Sequence, residues 1–336
     1  MVTMRDVADR ANVSIATVSF VINGTKPVAP ETRTRIEAAI QELGYRRNVV
    51  ARALASSRTH ILALLHPDLD GRPNATAIQV VMSAAHGARE RGYDLVLWPV
   101  NDDEQMSPLL AGGLVDGVLL MEVQIRDPRV DRLIASRLPF ALIGRTENED
   151  LPFVDIDFAT TIGQAVEHLR PFGHRRIALV TQRTAAAEHA PGRIRRAESA
   201  YLDTMTALGV PPVIVAVEST SAGGREAALR LSEDFPEVTA VILVNEGASA
   251  GLVKGSRALG RAVPDDLSVI TASTTAELGE MIEPSLTVMA APAPQLGRLG
   301  AHALIDQLEG VQNTPPHTLI PCTLVPGQSV GPARIR

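Results

Sequence analysis

The sequence of 336 residues has a single cysteine, 3% aromatic residues and no long apolar run. The one cysteine, Cys322, can form neither a disulfide within the chain nor a cysteine-rich zinc site, so the fold must depend on packing. No stretch approaches the roughly 18 consecutive apolar residues of a membrane helix. The first residues, MVTMRDVADR, carry acids where a secretory signal has an apolar run. These absences predict a cytoplasmic chain with no membrane partner.

The composition is that of a globular protein, and the charge is unevenly distributed. Apolar residues make up 45% and charged residues 21%, which excludes disordered and fibrous classes. The length predicts about two or three domains. The net charge of −6 combines +4 over residues 1–58 with −10 over the remainder. A basic N-terminal segment on an acidic remainder indicates that this segment contacts a polyanion.

The first 45 residues contain the signals of three short helices. Thr3 and Asp6 have the spacing of a capping box, Ser14 can cap a second helix over 15–23, and Pro30 suits the first turn of a third. Apolar residues recur at helical spacing and form the predicted inner faces: Val7, Ala8, Ala11, Val18, Val21, Ile22, Ile36, Ala39, Ile40 and Leu43. Three helices with a tight turn between the first two predict a helix-turn-helix module.

In such a module the second helix enters the major groove of DNA, and its outward residues meet base edges. The outward residues here are Ile15, Ala16, Thr17, Ser19, Phe20 and Asn23. The alternative is a three-helix bundle with an ordinary solvated face. Two large apolar side chains, Ile15 and Phe20, weigh against that alternative, because a solvated face rarely carries them and thymine methyl groups would contact them.

Residues 46–58 form a short segment rich in alanine and arginine. About two turns of helix are marginal in water, so the segment should become helical only when something holds it. It is therefore either a conditional hinge helix or a plain linker.

From residue 60, apolar segments predicted as buried strands alternate with predicted helices. The strands are expected at 61–65, 94–98, 117–121, 140–143, 177–181, 213–217, 240–244 and 267–271, with helices including 76–91, 160–170, 193–208 and 223–233. Strands that alternate with helices form parallel sheets covered on both faces. The series restarts near Gly173, which indicates two similar lobes. Ligands bind beyond the carboxyl ends of such strands, where mostly polar residues stand: Asp68, Glu122, Arg145, Gln182, Asn245, Glu246, Ser273 and Thr274.

Motifs throughout the chain resemble those of the LacI/GalR family of bacterial transcriptional regulators. In the N-terminal part they are T-M-R-D-V-A from Thr3, V-S-I-A-T-V-S from Val13, V-I-N from Val21, V-A-P-E-T-R from Val28, L-G-Y from Leu43 and A-R-A-L-A from Ala51. In the body they are V-D-G-V from Val115, G-H-R-R-I-A from Gly173, V-P-D-D-L-S-V from Val263, P-S-L-T from Pro284 and the late helix from Leu296 to Gly310. The match covers nearly the whole chain.

The resemblance implies an all-α helix-turn-helix head plus an α/β body made of two Rossmann-like lobes of the periplasmic-binding-protein type I kind. The implied domains are a DNA-binding head at 1–45, a hinge at 46–58 and an effector-binding and dimerisation body at 59–336, with lobe one at about 60–158 and 291–320 and lobe two at about 159–290. The implied function is a ligand-responsive, sequence-specific repressor of carbohydrate or related metabolic genes. It would bind double-stranded operator DNA in the nucleoid as a homodimer, and whether dimers pair into tetramers stays open.

The resemblance also implies DNA contacts. In the family, paired hinge helices enter the minor groove, where Leu54 would unstack a central base step. The expected DNA-binding residues are Thr3, Ser14, Ile15, Ala16, Thr17, Ser19, Phe20, Asn23, Tyr45, Asn48, Arg52 and Leu54. Phe20 stands where the family often has a base-reading arginine, and Arg47 replaces a common proline. The operator half-site is therefore expected to differ from the family's usual one.

The family uses an arginine on the helix after the first strand of lobe two to bind its effector. Arg196 is expected in this role, but its offset from Tyr201 is one residue longer than usual, so Arg193 and Arg195 remain alternatives. The expected effector-binding residues are Asp68, Asn74, Glu122, Arg145, Arg196, Asn245, Glu246 and Ser273. Glu246 replaces a frequent aspartate, and residues 272–275 lack the family's frequent aromatic and acids. The candidate effectors are therefore a sugar, a sugar acid, a nucleoside or another polar metabolite.

Two other interpretations are weaker. A cytoplasmic enzyme or binding protein on the same two-lobed fold would need a chemical signature. The candidate pairs lack metal-ligand spacing, and the phosphate-binding and nucleophile motifs are missing; the pairs are His66 with Asp68 and Asp70, Asp155 with Asp157, and His168 with His174. An exported solute-binding protein would carry a signal peptide and no helical head. We therefore expect no enzyme activity, no metal and no cofactor.

Overall fold

The computed structural model describes residues 2–23, 26–45, 58–66, 74–100, 104–111, 113–148, 150–184, 190–311 and 317–334. Contacts divide the chain into two compact units, Met1–Thr59 and His60–Arg336. We call the first unit the head and the second the body.

The head consists of the three predicted helices, α1 (Met4–Ala11), α2 (Ile15–Asn23) and α3 (Pro30–Leu43). The capping box is present: the Asp6 N–H donates to the Thr3 hydroxyl, and the Thr3 N–H donates to the Asp6 carboxylate at 2.7 Å. These hydrogen bonds from Thr3 lower the pKa of Asp6. Asn12 ends α1 in the left-handed conformation, which produces the tight turn into α2. The head's core is the predicted one, with fully or largely buried Val7, Ala8, Ala11, Val18, Val21, Ile36 and Ala39.

The body alternates strands and helices. Its strands are β1 (Ile61–His66), β2 (Asp94–Pro99), β3 (Gly117–Leu120), β4 (Phe140–Ile143), β5 (Phe153–Ile156), β6 (Ile177–Gln182), β7 (Ile214–Val217), β8 (Ala240–Leu243), β9 (Ser268–Thr274), β10 (Thr287–Ala290), β11 (His317–Ile320) and β12 (Thr323–Val325). Its helices are α4 (Ala75–Glu90), α5 (Ser107–Ala111), α6 (Pro128–Ser136), α7 (Phe158–Leu169), α8 (Gly192–Ala207), α9 (Ser221–Glu233), α10 (Ser249–Ala258), α11 (Ala276–Glu280) and α12 (Ala293–Glu309).

The strands form two six-stranded sheets, one in each lobe. Lobe one has the order β11-β5-β4-β3-β1-β2, and lobe two has the order β12-β10-β9-β8-β6-β7. All pairs are parallel except the antiparallel pair of β10 and β12. Parallel sheets covered by helices confirm the predicted α/β class of the body.

All eight predicted strands are present, but one expectation about them is wrong. The strand at 94–98 was expected to be buried, whereas β2 is an edge strand whose Val96 and Leu97 are each 42% exposed. Four further strands, β5, β10, β11 and β12, were not predicted from the sequence. Each of these has three or four residues and includes a polar one, unlike the wholly apolar four-residue strands β3, β4, β7 and β8.

The chain crosses between the lobes three times, after β5, after β10 and between β11 and β12. The last crossing adds residues 323–334 to lobe two. There Ser329 accepts a hydrogen bond from the Thr287 N–H at 2.8 Å, and the Val269 N–H donates to the Ser329 carbonyl at 2.9 Å. Cys322 lies buried at this crossing, and its N–H donates to the Thr161 hydroxyl at 3.0 Å.

Candidate functional site

The head presents α2 with a mixed surface. Ile15 is 42% exposed and Ala16 is also exposed, whereas Thr17, Ser19 and Phe20 are half-buried. Ser14 caps the helix, since its hydroxyl accepts a hydrogen bond from the Thr17 N–H at 3.1 Å and lies 2.8 Å from the Thr17 hydroxyl. The N-terminal turn of α2 is therefore held rigid, with an apolar side chain and small polar groups outward.

Two further expected DNA-binding residues, Phe20 and Tyr45, contact other residues of the head. The Lys26 ammonium lies 5.0 Å from the centre of the Phe20 ring, which combines an apolar surface with a positive charge. Tyr45 packs against the core of the head. The side chain of Asn23, together with Asn48, Arg52, Leu54 and the expected hinge, lies outside the described residues.

The body contains a cavity of about 80 Å³ between its two lobes, at the carboxyl ends of the strands. It is lined by four of the expected effector-binding residues, Asn74, Glu122, Arg196 and Ser273. Arg193 lines it as well, so two of the three alternative arginines face the cavity. Arg195 is half exposed and pairs with Glu198 along its own helix at 3.5 Å, which excludes it from the cavity wall in this structure. Asp68 lies outside the described residues.

Glu122 and Arg193 form the first ion pair across the cavity. The Arg193 Nε donates to both Glu122 carboxylate oxygens, at 3.1 and 3.0 Å, and its Nη2 donates to the Gln182 side chain at 3.2 Å. Glu122 follows β3 in lobe one, whereas Arg193 lies in the first turn of α8 in lobe two. The pair therefore joins the lobes at the mouth of the cavity.

Arg196 and Asp155 form the second, more deeply buried pair. The Arg196 Nε lies 2.9 Å from the Asp155 Oδ2, and its Nη1 donates to the Arg145 carbonyl at 2.8 Å. The Arg145 Nε lies 3.4 Å from the same carboxylate oxygen. The Arg196 Nε and the Asp155 Oδ2 are close but misaligned, so that neither makes a hydrogen bond to any described residue.

The protonation equilibria of this pair reflect its burial. Desolvation raises the pKa of the Asp155 carboxyl, although the charge of Arg196 opposes this shift. Desolvation likewise lowers the pKa of the Arg196 guanidinium. The loss of water therefore outweighs the mutual attraction for both groups. A polar ligand that hydrogen-bonds to both groups would replace the lost solvation.

The first turn of α8 approaches lobe one closely because of a glycine. The Gly192 N–H donates to the Val123 carbonyl at 2.8 Å, and Gln124 and Pro191 form an antiparallel bridge beside it. A Cβ at Gly192 would lie 2.9 Å from the Val123 carbonyl and 2.6 Å from the Arg196 Nη1. Only glycine leaves room both for this contact and for the guanidinium of Arg196.

Glu246 links the lobes in a different way. It was expected to bind effector, but its carboxylate accepts hydrogen bonds from the Ala75 N–H at 2.8 Å, the Thr76 hydroxyl at 3.1 Å and the Thr274 hydroxyl at 2.7 Å. A lobe-two acid therefore occupies the N-terminus of α4 in lobe one, where the helix dipole favours a negative charge. Asn74 is the N-cap of α4, and its side-chain oxygen accepts a hydrogen bond from the Ala77 N–H at 2.7 Å.

Asn245 has a structural role at the end of lobe two's strands. Its buried amide donates to the Val217 carbonyl at 3.1 Å and, more weakly, to the carbonyls of Thr181 and Glu218 at 3.4 Å. It therefore joins the ends of β6 and β7. Neither Asn245, Glu246 nor Arg145 lines the cavity.

The residues set aside as metal candidates separate into different roles. Asp155 was missed as a cavity residue because it lies within β5, which the pattern of apolar residues did not indicate. Asp157 caps α7 through the Thr160 N–H at 2.9 Å, and His174 is buried between the Thr239 hydroxyl and the Gly331 carbonyl. Within the described ranges, no three His, Cys, Asp or Glu side chains are grouped as a metal site requires. Across the same ranges, no helix combines the length and apolar character needed to span a bilayer.

Comparison with known proteins identifies the family of the chain. Residues 3–48 match the family model for bacterial regulatory proteins of the lacI family, and residues 166–330 match that for a periplasmic binding protein-like domain. The chain is 31% identical to catabolite control protein A of Priestia megaterium, over 90% of this chain and 91% of that protein.

Two solved structures are similar over 98% of the chain. A transcriptional regulator CelR in complex with cellobiose is 29% identical, with a TM-score of 0.72 and all of its own chain covered. The lac repressor dimer bound to operator and the anti-inducer ONPF has a TM-score of 0.83 over 99% of its chain, and at 22% identity it shows the shared fold. The chain therefore belongs to the lacI family of bacterial regulatory proteins, and it is a ligand-responsive, DNA-binding transcription regulator.

Proposed function

We propose that the protein is a homodimeric repressor without catalytic activity, and that a carbohydrate effector bound between the lobes of its body changes its affinity for a near-palindromic operator. Its action on chromosomal DNA places it in the cytoplasm. The observation that carries the proposal is the meeting of Glu122 and Asp155 from lobe one with Arg193 and Arg196 from lobe two around one cavity.

The chemistry of the cavity suits a polyhydroxylated ligand. Carboxylates accept hydrogen bonds from sugar hydroxyl groups, and guanidinium groups donate to sugar oxygens. Phe158 is the aromatic residue that lines the cavity and provides an apolar surface. The CelR structure with bound cellobiose is a precedent for a carbohydrate in a related body. A ligand here would contact both lobes and so favour one lobe arrangement over another, which is how binding would be coupled to the operator.

The test is a thermal-shift screen of neutral sugars, sugar acids and nucleosides on the full chain. Operator binding with and without each stabilising compound is then measured by fluorescence anisotropy on a DNA site obtained by in vitro selection. We expect a stabilising sugar to change operator affinity by about 5- to 150-fold, the usual range of coupling between sites. A panel in which every stabilising compound leaves operator affinity unchanged would refute the proposal.

We propose that the dimer covers an apolar surface on lobe one. Ile78 and Met82 lie four residues apart on α4 and are 48% and 66% exposed, and the edge strand β2 exposes Val96 and Leu97. An apolar surface of this kind marks an interaction site. Two-fold pairing of the chain would also match the mirrored half-sites of a palindrome.

Met82→Glu is therefore expected to weaken the dimer at least about tenfold, because burying a carboxylate among apolar groups is costly. Sedimentation velocity over a dilution series measures the change. Ile134→Glu is the matched control, since Ile134 on α6 is 48% exposed and lies outside the proposed interface. Equal dimer stability in the two variants would place the interface elsewhere.

A further inference from the structure

Lobe two contains a second cavity, of about 350 Å³, that the proposed function does not use. Its walls come from the segments that precede β6, β8 and β9 and from the C-terminal residues Ala333 and Arg334. Because these strands are parallel, their N-termini meet at one edge of the sheet. The cavity between the lobes, which Glu122, Arg193 and Arg196 line and which we call the effector cavity, lies at the opposite edge of the sheet. The two cavities are therefore separate.

Two sequence motifs that the effector cavity leaves unexplained form this second cavity. The G-H-R-R-I-A motif contributes Gly173, Arg175 and Arg176, and the V-P-D-D-L-S-V motif contributes Asp266. The wall of the cavity therefore combines chain segments that are about 90 residues apart in sequence, and many of its side chains are charged.

Arginines dominate the charge of this cavity. It is lined by Arg175, Arg176, Arg261 and Arg334 and by the acids Glu237 and Asp266. These six side chains carry a formal surplus of +2, in a chain whose net charge is −6. The surplus is therefore a local feature of the cavity.

Ion pairs hold two of these arginines in place, and some of their N–H donors are not used in these pairs. The Arg176 Nη2 donates to Glu237 at 2.7 Å, and the Arg334 Nη1 donates to Asp266 at 2.9 Å. The Arg176 Nη1 also donates to the Pro211 carbonyl at 3.3 Å, and a guanidinium group has five N–H donors in all. Arg175 is exposed and forms no ion pair with the residues that the structure describes. N–H groups thus remain for a ligand.

The walls are held in place by buried polar groups. The His174 ring is 3% exposed and bridges the Thr239 hydroxyl at 2.9 Å and the Gly331 carbonyl at 3.0 Å. Burial lowers the pKa of His174, which keeps the ring neutral in this bridge. Arg261 is 7% exposed, and its Nη1 donates to the Leu231 carbonyl at 3.3 Å. The cavity is therefore preformed, as small-molecule sites commonly are.

We propose that this cavity is a second small-molecule site, which binds the phosphate monoester of a metabolite independently of the effector cavity. A volume of 350 Å³ falls within the range of about 300–1,000 Å³ typical of such sites. A phosphate monoester carries about −1.5 to −2 charges near neutral pH, which matches the surplus of the six side chains. The planar guanidinium groups fit phosphate oxygens two at a time.

The test is isothermal titration calorimetry on the full chain with ribose 5-phosphate, glycerol 3-phosphate, ribose and inorganic phosphate. We expect the two esters to bind, ribose not to bind, and inorganic phosphate to bind more weakly than the esters. Arg175→Gln and Arg176→Gln should each weaken ester binding at least about tenfold, because each removes a charged donor. Arg170→Gln, an exposed arginine of the same lobe that does not line the cavity, should leave binding unchanged.

The variant Arg193→Gln distinguishes binding at the two cavities, because Arg193 lines the effector cavity and does not line the second one. Unchanged ester binding by this variant supports the second site, and its loss would move the phosphate to the effector cavity and overturn the proposal. The proposal is also overturned if no ester binds, if Arg175→Gln and Arg176→Gln bind like the parent, or if inorganic phosphate binds as tightly as the esters.

Discussion

Deletion of residues 1–58 is expected to abolish operator binding and to leave effector binding intact. The core of the head consists of head residues alone, and the body has three apolar clusters of its own. The body should therefore fold without the head. Residues 59–336 carry a net charge of −10, which repels DNA phosphates. The affinity should fall about a thousandfold or more, which is at least the ratio between specific and non-specific binding.

Fluorescence anisotropy with the selected operator measures this loss, and a thermal-shift assay with the effector shows that the truncated chain is folded. Val18→Asp in the full chain is the matched control, because Val18 is fully buried in the head and its replacement by a charge should unfold the head alone. Both variants should behave alike. Operator affinity retained by residues 59–336 would mean that the body, and not α2, reads DNA.

Arg196→Ala is expected to abolish the effector's influence on operator binding and to destabilise the body. Loss of a charge-assisted hydrogen bond should weaken effector binding by about tenfold or more. The substitution also leaves the Asp155 carboxylate, whose side chain is 6% exposed, with the Ile156 N–H at 2.8 Å and the more distant Arg145 Nε at 3.4 Å. Breaking a buried ion pair in this way costs about 3–5 kcal/mol.

The loss of stability in Arg196→Ala should depend on pH in a defined direction. Burial raises the pKa of Asp155 above its ordinary value of 3.8, and removal of Arg196 raises it further. A carboxyl group with a raised pKa in the folded state contributes stability that is present below the unfolded pKa and is lost as the pH rises through the folded pKa. The difference in free energy of unfolding between the parent and Arg196→Ala should therefore be smaller in mildly acidic buffer than at neutral pH.

Urea denaturation at neutral and mildly acidic pH, combined with calorimetry on the effector, measures both effects. Arg195→Ala is the matched control, since Arg195 is 52% exposed and pairs only with Glu198 among the described residues. Adding Asp155→Asn to Arg196→Ala should restore much of the stability and none of the effector affinity. If Arg196→Ala binds effector like the parent while Arg193→Ala does not, effector binding depends on the ion pair of Arg193 with Glu122 and not on Arg196.

The head could be predicted almost completely from the sequence because its determinants are local. The spacing of Thr3 and Asp6, the turn at Asn12 and the apolar period of α3 each operate within one helical turn. The exposure of Phe20 was the exception. Its partner, Lys26, lies beyond the end of α2, so helical periodicity could not show that the ring is half-buried.

The effector cavity could be predicted only in part, because it depends on contacts distant in sequence. The carboxyl ends of β3 and β9 indicated Glu122 and Ser273, which line the cavity between the lobes. Asp155 lies inside β5, and its position depends on the crossing that brings α8 against lobe one. Glu246 has the residue type of an effector contact, but its partners at the N-terminus of α4 are 170 and 171 residues away. No local pattern contains that information.

The third crossing has a consequence for synthesis of the protein on the ribosome. The sheet of lobe one ends with β11 (His317–Ile320), and that of lobe two ends with β12 (Thr323–Val325). Both edge strands come from the same short stretch, which the ribosome synthesises after the other ten strands that the structure describes. Neither lobe can complete its sheet before this stretch emerges from the ribosome, so the two sheets should be completed together. A premature stop codon just before residue 317 would remove an edge strand from both sheets at once.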